Sequence, residues 1–190
     1  MQSDVPSPRR LVAIAIACEA ALGVIALGVG WFLERPPLAQ ISWTVTGVGY
    51  GLAATAPLVV GLLLAIWFPA GPIARLEGIV RQLVTPLFGG ATIWELMAVS
   101  TAAGWGEEML FRGLIQSGLA QLSGQPWLAV AIASGVFGAV HPITRTYVVM
   151  AAVIGAYLGW LLLFTDNLLV PIIAHATYDF VALVYFQRQK

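Results

Sequence analysis

In the second half of this sequence, ionisable side chains fall at short, regular spacings inside stretches that are otherwise apolar. The densest group is Glu107-Glu108-Met109-Leu110-Phe111-Arg112. On a helix, Glu108 and Arg112 are i,i+4 neighbours with the acid ahead of the base, the favourable order for an ion pair. Glu107 is turned about 100° away from Glu108 and does not easily share that arginine. One carboxylate is thereby tied up, and the other is free to act as a general base. A second group is Phe137 with His141 one turn later; a third is His175 with Asp179, again i,i+4 on one face. His141 and His175 are the only histidines in the chain. Two imidazoles, a free carboxylate and an aspartate brought together can hold a water for attack on a carbonyl, with or without a metal ion.

Each piece also has a plain structural reading. A lone His in a membrane helix often bonds across to a neighbouring helix. Glu108 and Arg112 are expected to be a structural pair, Phe137 to be packing, and Asp179 could serve only to orient His175. Glu95 is expected to be solvated at the start of its segment, and Asp166 to be a turn residue. Together the groups argue otherwise, because an ionised side chain at mid-membrane costs roughly 2.5–3.5 kcal/mol on insertion scales.

The elements that must position these residues are membrane helices. The chain has 190 residues, 59% hydrophobic and 9% charged, with a mean hydropathy of +0.89. Soluble domains carry about a quarter charged residues. Spans need about 20 apolar residues. The first apolar run is Leu11 to Leu33, read as a signal anchor, and the second is Val48 to Phe68, ended by Pro69, Gly71 and Pro72. Between 70 and 91, Arg75, Glu77 and Arg81 alternate with aliphatic residues in the pattern of an amphipathic surface helix. A third segment runs from Thr92 to about Leu122, with Gly104 and Gly106 as expected points of bending. Three more follow: Trp127 to His141, Tyr147 to Phe164, and Leu168 to Phe186. The expected fold is therefore all-α, a polytopic bundle of about six transmembrane helices plus one amphipathic surface helix. Residues 1–91 are expected to form N-terminal anchor helices and linker, and 92–190 a catalytic helical core.

Charge distribution orients this layout. With six spans and a cytoplasmic amino terminus, Arg9, Arg10, Arg75, Arg81, Arg145, Arg188 and Lys190 fall inside and only Arg35 outside. Both termini are expected on the cytoplasmic side. Zero formal net charge gives no pointer to nucleic acid, and no Gly-x-x-x-x-Gly-Lys loop is present for a nucleotide. The single Cys18 allows no internal disulfide. Among peptidase patterns, His-Glu-x-x-His is missing, Ser134-Gly135 lacks the preceding glycine of rhomboids, and Tyr178-Asp179 lacks the Gly-x-Gly-Asp partner of presenilins.

The three groups, in this order and each in an apolar run, resemble the motifs of the CPBP family of intramembrane proteases, the CAAX prenyl endopeptidases and their bacteriocin-processing relatives. Glu107-Glu108-x-x-x-Arg112, Phe137-x-x-x-His141 and His175-x-x-x-Asp179 carry the resemblance, over about Thr92 to Tyr185. It implies an intramembrane cavity where Glu107 and His141 activate a water, while His175 and the residue at Asp179 stabilise the oxyanion. Relatives often have Asn at that last position. Asn donates to an oxyanion, whereas ionised Asp repels one, so Asp179 must be protonated, orient His175 or bind a cation. Glu107, His141, His175 and Asp179 would suit zinc or another divalent ion.

The expected function is an intramembrane endopeptidase, metal-assisted or not, acting on a peptide or membrane-protein substrate from within the bilayer, with a bacterial inner membrane as its setting. The rival readings are a non-enzymatic immunity or binding protein and a small proton-coupled transporter. One tension concerns depth. Glu107 and His175 lie near the middle of their segments and His141 at the end of its own. They meet only if the third segment starts at the surface, or the fourth helix is tilted or extends inward.

Overall fold

The computed structural model describes residues 7–189; Lys190, counted above among the cytoplasmic charges, lies outside the described residues. Among the described residues there are helices and no strands, the all-helical bundle expected from the apolar runs. Helix α1 is Pro8–Phe32, α2 Val45–Trp67, α3 Gly71–Phe88 and α4 Ile93–Glu108. A π-helical stretch, Met109–Gln116, continues α4 directly into α5, Ser117–Ser123. Then come α6, Pro126–Ala139, α7, Arg145–Thr165, and α8, Leu169–Arg188.

Local chemistry starts and stops these helices. Thr44 and Thr144 cap α2 and α7 by accepting from Gly47 N at 3.0 Å and Tyr147 N at 3.1 Å. Thr92 opens α4 with a reciprocal box: its hydroxyl accepts from Glu95 N at 3.2 Å, and Glu95 accepts from Thr92 N at 2.7 Å. Glu95 is thus a cap, satisfying backbone N–H groups that a helix start leaves open. Gly124 ends α5 in the left-handed region at φ +66°, where glycine pays no steric penalty. Asp166 turns the chain between α7 and α8, as expected.

Helices α1, α2, α7 and α8 are long and apolar enough to cross a membrane, which fits an integral membrane protein. The count becomes five if α3 and the continuous helix from Ile93 to Ser123, which meet at 115°, are taken as one broken span. The sharp angle suits α3 as a helix lying across the bundle.

One feature differs from the sequence expectation. Gly104 and Gly106 do not break the third segment. They let helices touch: a Cβ at Gly104 would lie 2.7 Å from the backbone N of Ala176 in α8, and one at Gly106 would collide with the carbonyl oxygen of Glu19 in α1. Helix α6 has only 14 residues, about 21 Å at 1.5 Å per residue, against a hydrocarbon core of about 30 Å. His141, just past its end, is therefore carried to the middle of the long helix from Ile93 to Ser123. That shortness resolves the depth tension.

The segment between α1 and α2 closes one side of the π-helical stretch. Gln40 Nε2 donates to Gly113 O at 2.7 Å, and Gln40 Oε1 accepts from Ser117 Oγ at 2.6 Å. Asn167 and Ser42 exchange two bonds of 3.0 Å, which ties this segment to the turn before α8.

Gly106→Val is expected to lower stability by about 1–3 kcal/mol through overpacking, whereas Gly49→Ala, with open space around its Cβ position, leaves the thermal midpoint in detergent at or above that of the parent. Equal midpoints for the two variants would contradict the α1–α4 contact.

Candidate active site

Glu108 and Arg112 form the pair that their spacing predicts. Arg112 Nη1 donates to Glu108 Oε1 at 2.8 Å, and the side chains are 0% and 1% exposed. A charge so removed from water is tolerable only when paired and otherwise hydrogen-bonded. The second arm of the guanidinium, Nη2, donates to the Gly155 carbonyl of α7 at 3.0 Å. Phe137 lies under the guanidinium, its ring centroid 4.4 Å from Cζ, and meets Phe111 edge-on at 5.0 Å. The π-helical stretch, rare and frequent at functional sites, runs from Met109 to Gln116 and carries Arg112 and Gln116 toward α7. Gln116 Nε2 donates to Gly159 O at 3.0 Å. Glycine at 155 and 159 leaves these side chains room, since a Cβ would meet Arg112 Nη2 at 3.0 Å and displace the end of the Gln116 side chain.

The same Glu108 oxygen also accepts from His175 Nδ1 at 2.8 Å. The expectation that Glu108 only braces its own helix is therefore too narrow: it also orients an imidazole 67 residues away. His141 is held similarly, its Nδ1 2.7 Å from the carbonyl of Phe137 one turn earlier in α6. A carbonyl accepts only, so His141 carries its proton on Nδ1 and turns Nε2 outward.

Both Nε2 atoms face Glu107. His141 Nε2 lies 3.7 Å from Glu107 Oε1, and His175 Nε2 lies 3.8 Å from Oε2. These gaps exceed a direct hydrogen bond and suit a small bridging molecule such as water. Glu107 is 8% exposed, and its Oε2 is buried without a hydrogen-bond partner. Asp179 Oδ2 sits 3.4 Å from His175 Nε2. The four residues assigned to chemistry, Glu107, His141, His175 and Asp179, thus come from α4, the α6–α7 turn and α8 to line one pocket of about 100 Å³. Among the described residues, no three His, Cys, Asp or Glu side chains are gathered in a way that would hold a metal ion.

This pocket opens into a cavity of about 370 Å³ whose walls include Ile73, Leu76, Val80 and Val84 of α3. Its lining also includes three residues that sequence reasoning passed over: Glu19, Tyr147 and Tyr178. Glu19 was hidden inside the run treated as an anchor. Its signal was available, since it is the one carboxylate between Leu11 and Leu33 and lies at seven-residue spacing from the buried Val12 and Ala26.

Fold and site together define a helical membrane protein with a carboxylate–histidine pocket buried in its bundle. Residues 89–181 match the family model described as type II CAAX prenyl endopeptidase Rce1-like. Searches of curated proteins and of solved structures gave no match.

Arg112→Met would strip the buried Glu108 carboxylate of its guanidinium and leave it only His175 Nδ1, a loss of about 3–5 kcal/mol. Unfolding in detergent measures it, and Glu108→Gln added to Arg112→Met is expected to recover part of the loss because the stranded charge is removed. A double variant less stable than Arg112→Met by the full value of a second, independent loss would refute the pairing.

Proposed function

We propose that this chain is an intramembrane endopeptidase in which Glu107 and His141 hold the attacking water. The observation that carries the reading is the Glu107 carboxylate, set 3.7 and 3.8 Å from two outward-facing Nε2 atoms, with a buried oxygen that no group among the described residues satisfies. Glu107 takes a proton from the water as its oxygen bonds to the peptide carbonyl carbon. In its imidazolium form, His175 donates Nε2–H to the resulting oxyanion. Collapse breaks the C–N bond, and Glu107 returns the proton to the leaving amine. Glu108 holds the Nδ1 end of the His175 ring, while Asp179, 3.4 Å from Nε2, orients the ring in the resting site and yields the Nε2–H to the oxyanion. The apolar cavity admits a peptide segment from the bilayer side of the bundle.

The division into an anchor and linker at 1–91 and a catalytic core at 92–190 is part of this reading, as are a bacterial inner membrane and cytoplasmic termini. The rival non-enzymatic and transport readings have no residue arrangement that favours them over hydrolysis.

Zinc or another divalent ion is an accessory to the proposal. Glu107, His141, His175 and Asp179 supply suitable donor types, yet they are not gathered for coordination, and the steps above run without it. Zinc below about a tenth of an equivalent in purified protein, with activity indifferent to chelator, counts against metal assistance.

Glu107→Gln is expected to abolish cleavage of a reconstituted peptide substrate while preserving membrane insertion and the thermal midpoint. Cleavage at the parental rate would remove Glu107 from the chemistry.

A further inference from the structure

The apolar cavity in front of Glu107 is edged by carboxylates, and among its lining residues there is no Lys or Arg. Glu77, on α3, is neutralised by Arg81 Nη2 at 3.1 Å. Asp179 is taken up by His175. Glu19, on α1, has no such partner among the described residues: its Oε2 is buried and makes no hydrogen bond with them. It faces the same space as Glu107, which is more than nine-tenths buried and also offers an unpartnered oxygen.

The position of Glu19 is fixed rather than incidental. Its carbonyl oxygen presses against Gly106, the residue before Glu107, and one turn later Gly23 lies against Trp105, where an added Cβ would come within 3.2 Å of the indole. The inward stripe of α1 thus brings one acidic side chain to the rim of the reacting group, in a helix outside the family-matched residues 89–181. A carboxylate placed so in an apolar wall is balanced most directly by a cation arriving with the substrate.

We propose that Glu19 is a specificity-determining residue that receives a Lys or Arg side chain near the scissile bond of an otherwise apolar peptide. This rests on the peptidase reading. The cavity walls take the aliphatic part of the substrate, as long basic side chains also bury their stems along apolar surface. The ammonium or guanidinium reaches Glu19, and the adjacent peptide bond is thereby registered against Glu107 and His141.

The test uses the full chain reconstituted in phosphatidylcholine and phosphatidylglycerol vesicles, which contain no primary-amine lipid, so any amine comes from the peptide. Matched apolar fluorogenic peptides carry Lys or its uncharged isostere norleucine at each position flanking the cleaved bond. At one position the Lys peptide is expected to show kcat/KM about tenfold above its partner, as a charge-assisted hydrogen bond implies. Glu19→Gln brings that ratio close to one, Glu19→Asp retains a preference, and Glu19→Lys shifts it toward Glu-containing peptides. Binding of the same peptides to Glu107→Gln, with and without Glu19→Gln, is read by fluorescence anisotropy and separates recognition from cleavage. A Lys preference in binding with no cleavage by the parent protein would reject the peptidase reading and keep the role of Glu19. Cleavage or binding without a Lys preference, or a preference that survives Glu19→Gln, overturns the assignment of Glu19.

Discussion

At the centre of the bundle, a carboxylate and a guanidinium with no access to water hold each other 2.8 Å apart. Everything near the site is arranged around the demands of that pair. The guanidinium needs further acceptors, and the carbonyl of Gly155 supplies one. Its flat face needs an apolar or aromatic neighbour, and Phe137 supplies it. The carboxylate oxygen needs a second donor, and His175 Nδ1 supplies that. Four helical segments are thereby fixed relative to one another by one ion pair. Its contribution is best seen as geometric, since buried pairs often add little net stability over an apolar replacement.

Close helix approach is the second requirement. The pair and its partners meet only where backbones come near enough, and glycines at 104, 106, 155 and 159 stand at those crossings. Small residues at helix interfaces are how membrane bundles pack when no difference in hydrophobicity separates helix from lipid. In this chain the crossings coincide with the chemistry. Gly106 precedes Glu107, and Gly155 lends its carbonyl to Arg112.

The pocket that results is asymmetric. On one side of Glu107 lies the dry lattice of Glu108, Arg112 and Phe137; on the other lies a cavity reaching past α3. A general base needs both: a rigid support that sets its direction and a space that admits water and substrate. Ala15 and Glu19 complete that space, which makes α1 a wall of the site.

Much of this was legible in the sequence because it is local. Apolar length fixed the helices, proline and glycine marked their ends, and i,i+4 spacing foretold Glu108 with Arg112 and His175 with Asp179. The resemblance in motif order picked out Glu107, His141, His175 and Asp179, and the structure brings these four together. Tertiary structure decided three other things. It decided that His141 sits at mid-bundle, because the run Trp127 to His141 states how long α6 is but not the depth at which its end lies. It decided that Glu108 rather than Asp179 takes Nδ1 of His175, a contact across 67 residues that no helical period encodes. It decided that Glu19 faces the cavity, because periodicity tells which face of α1 is inward but not which neighbour lies opposite it.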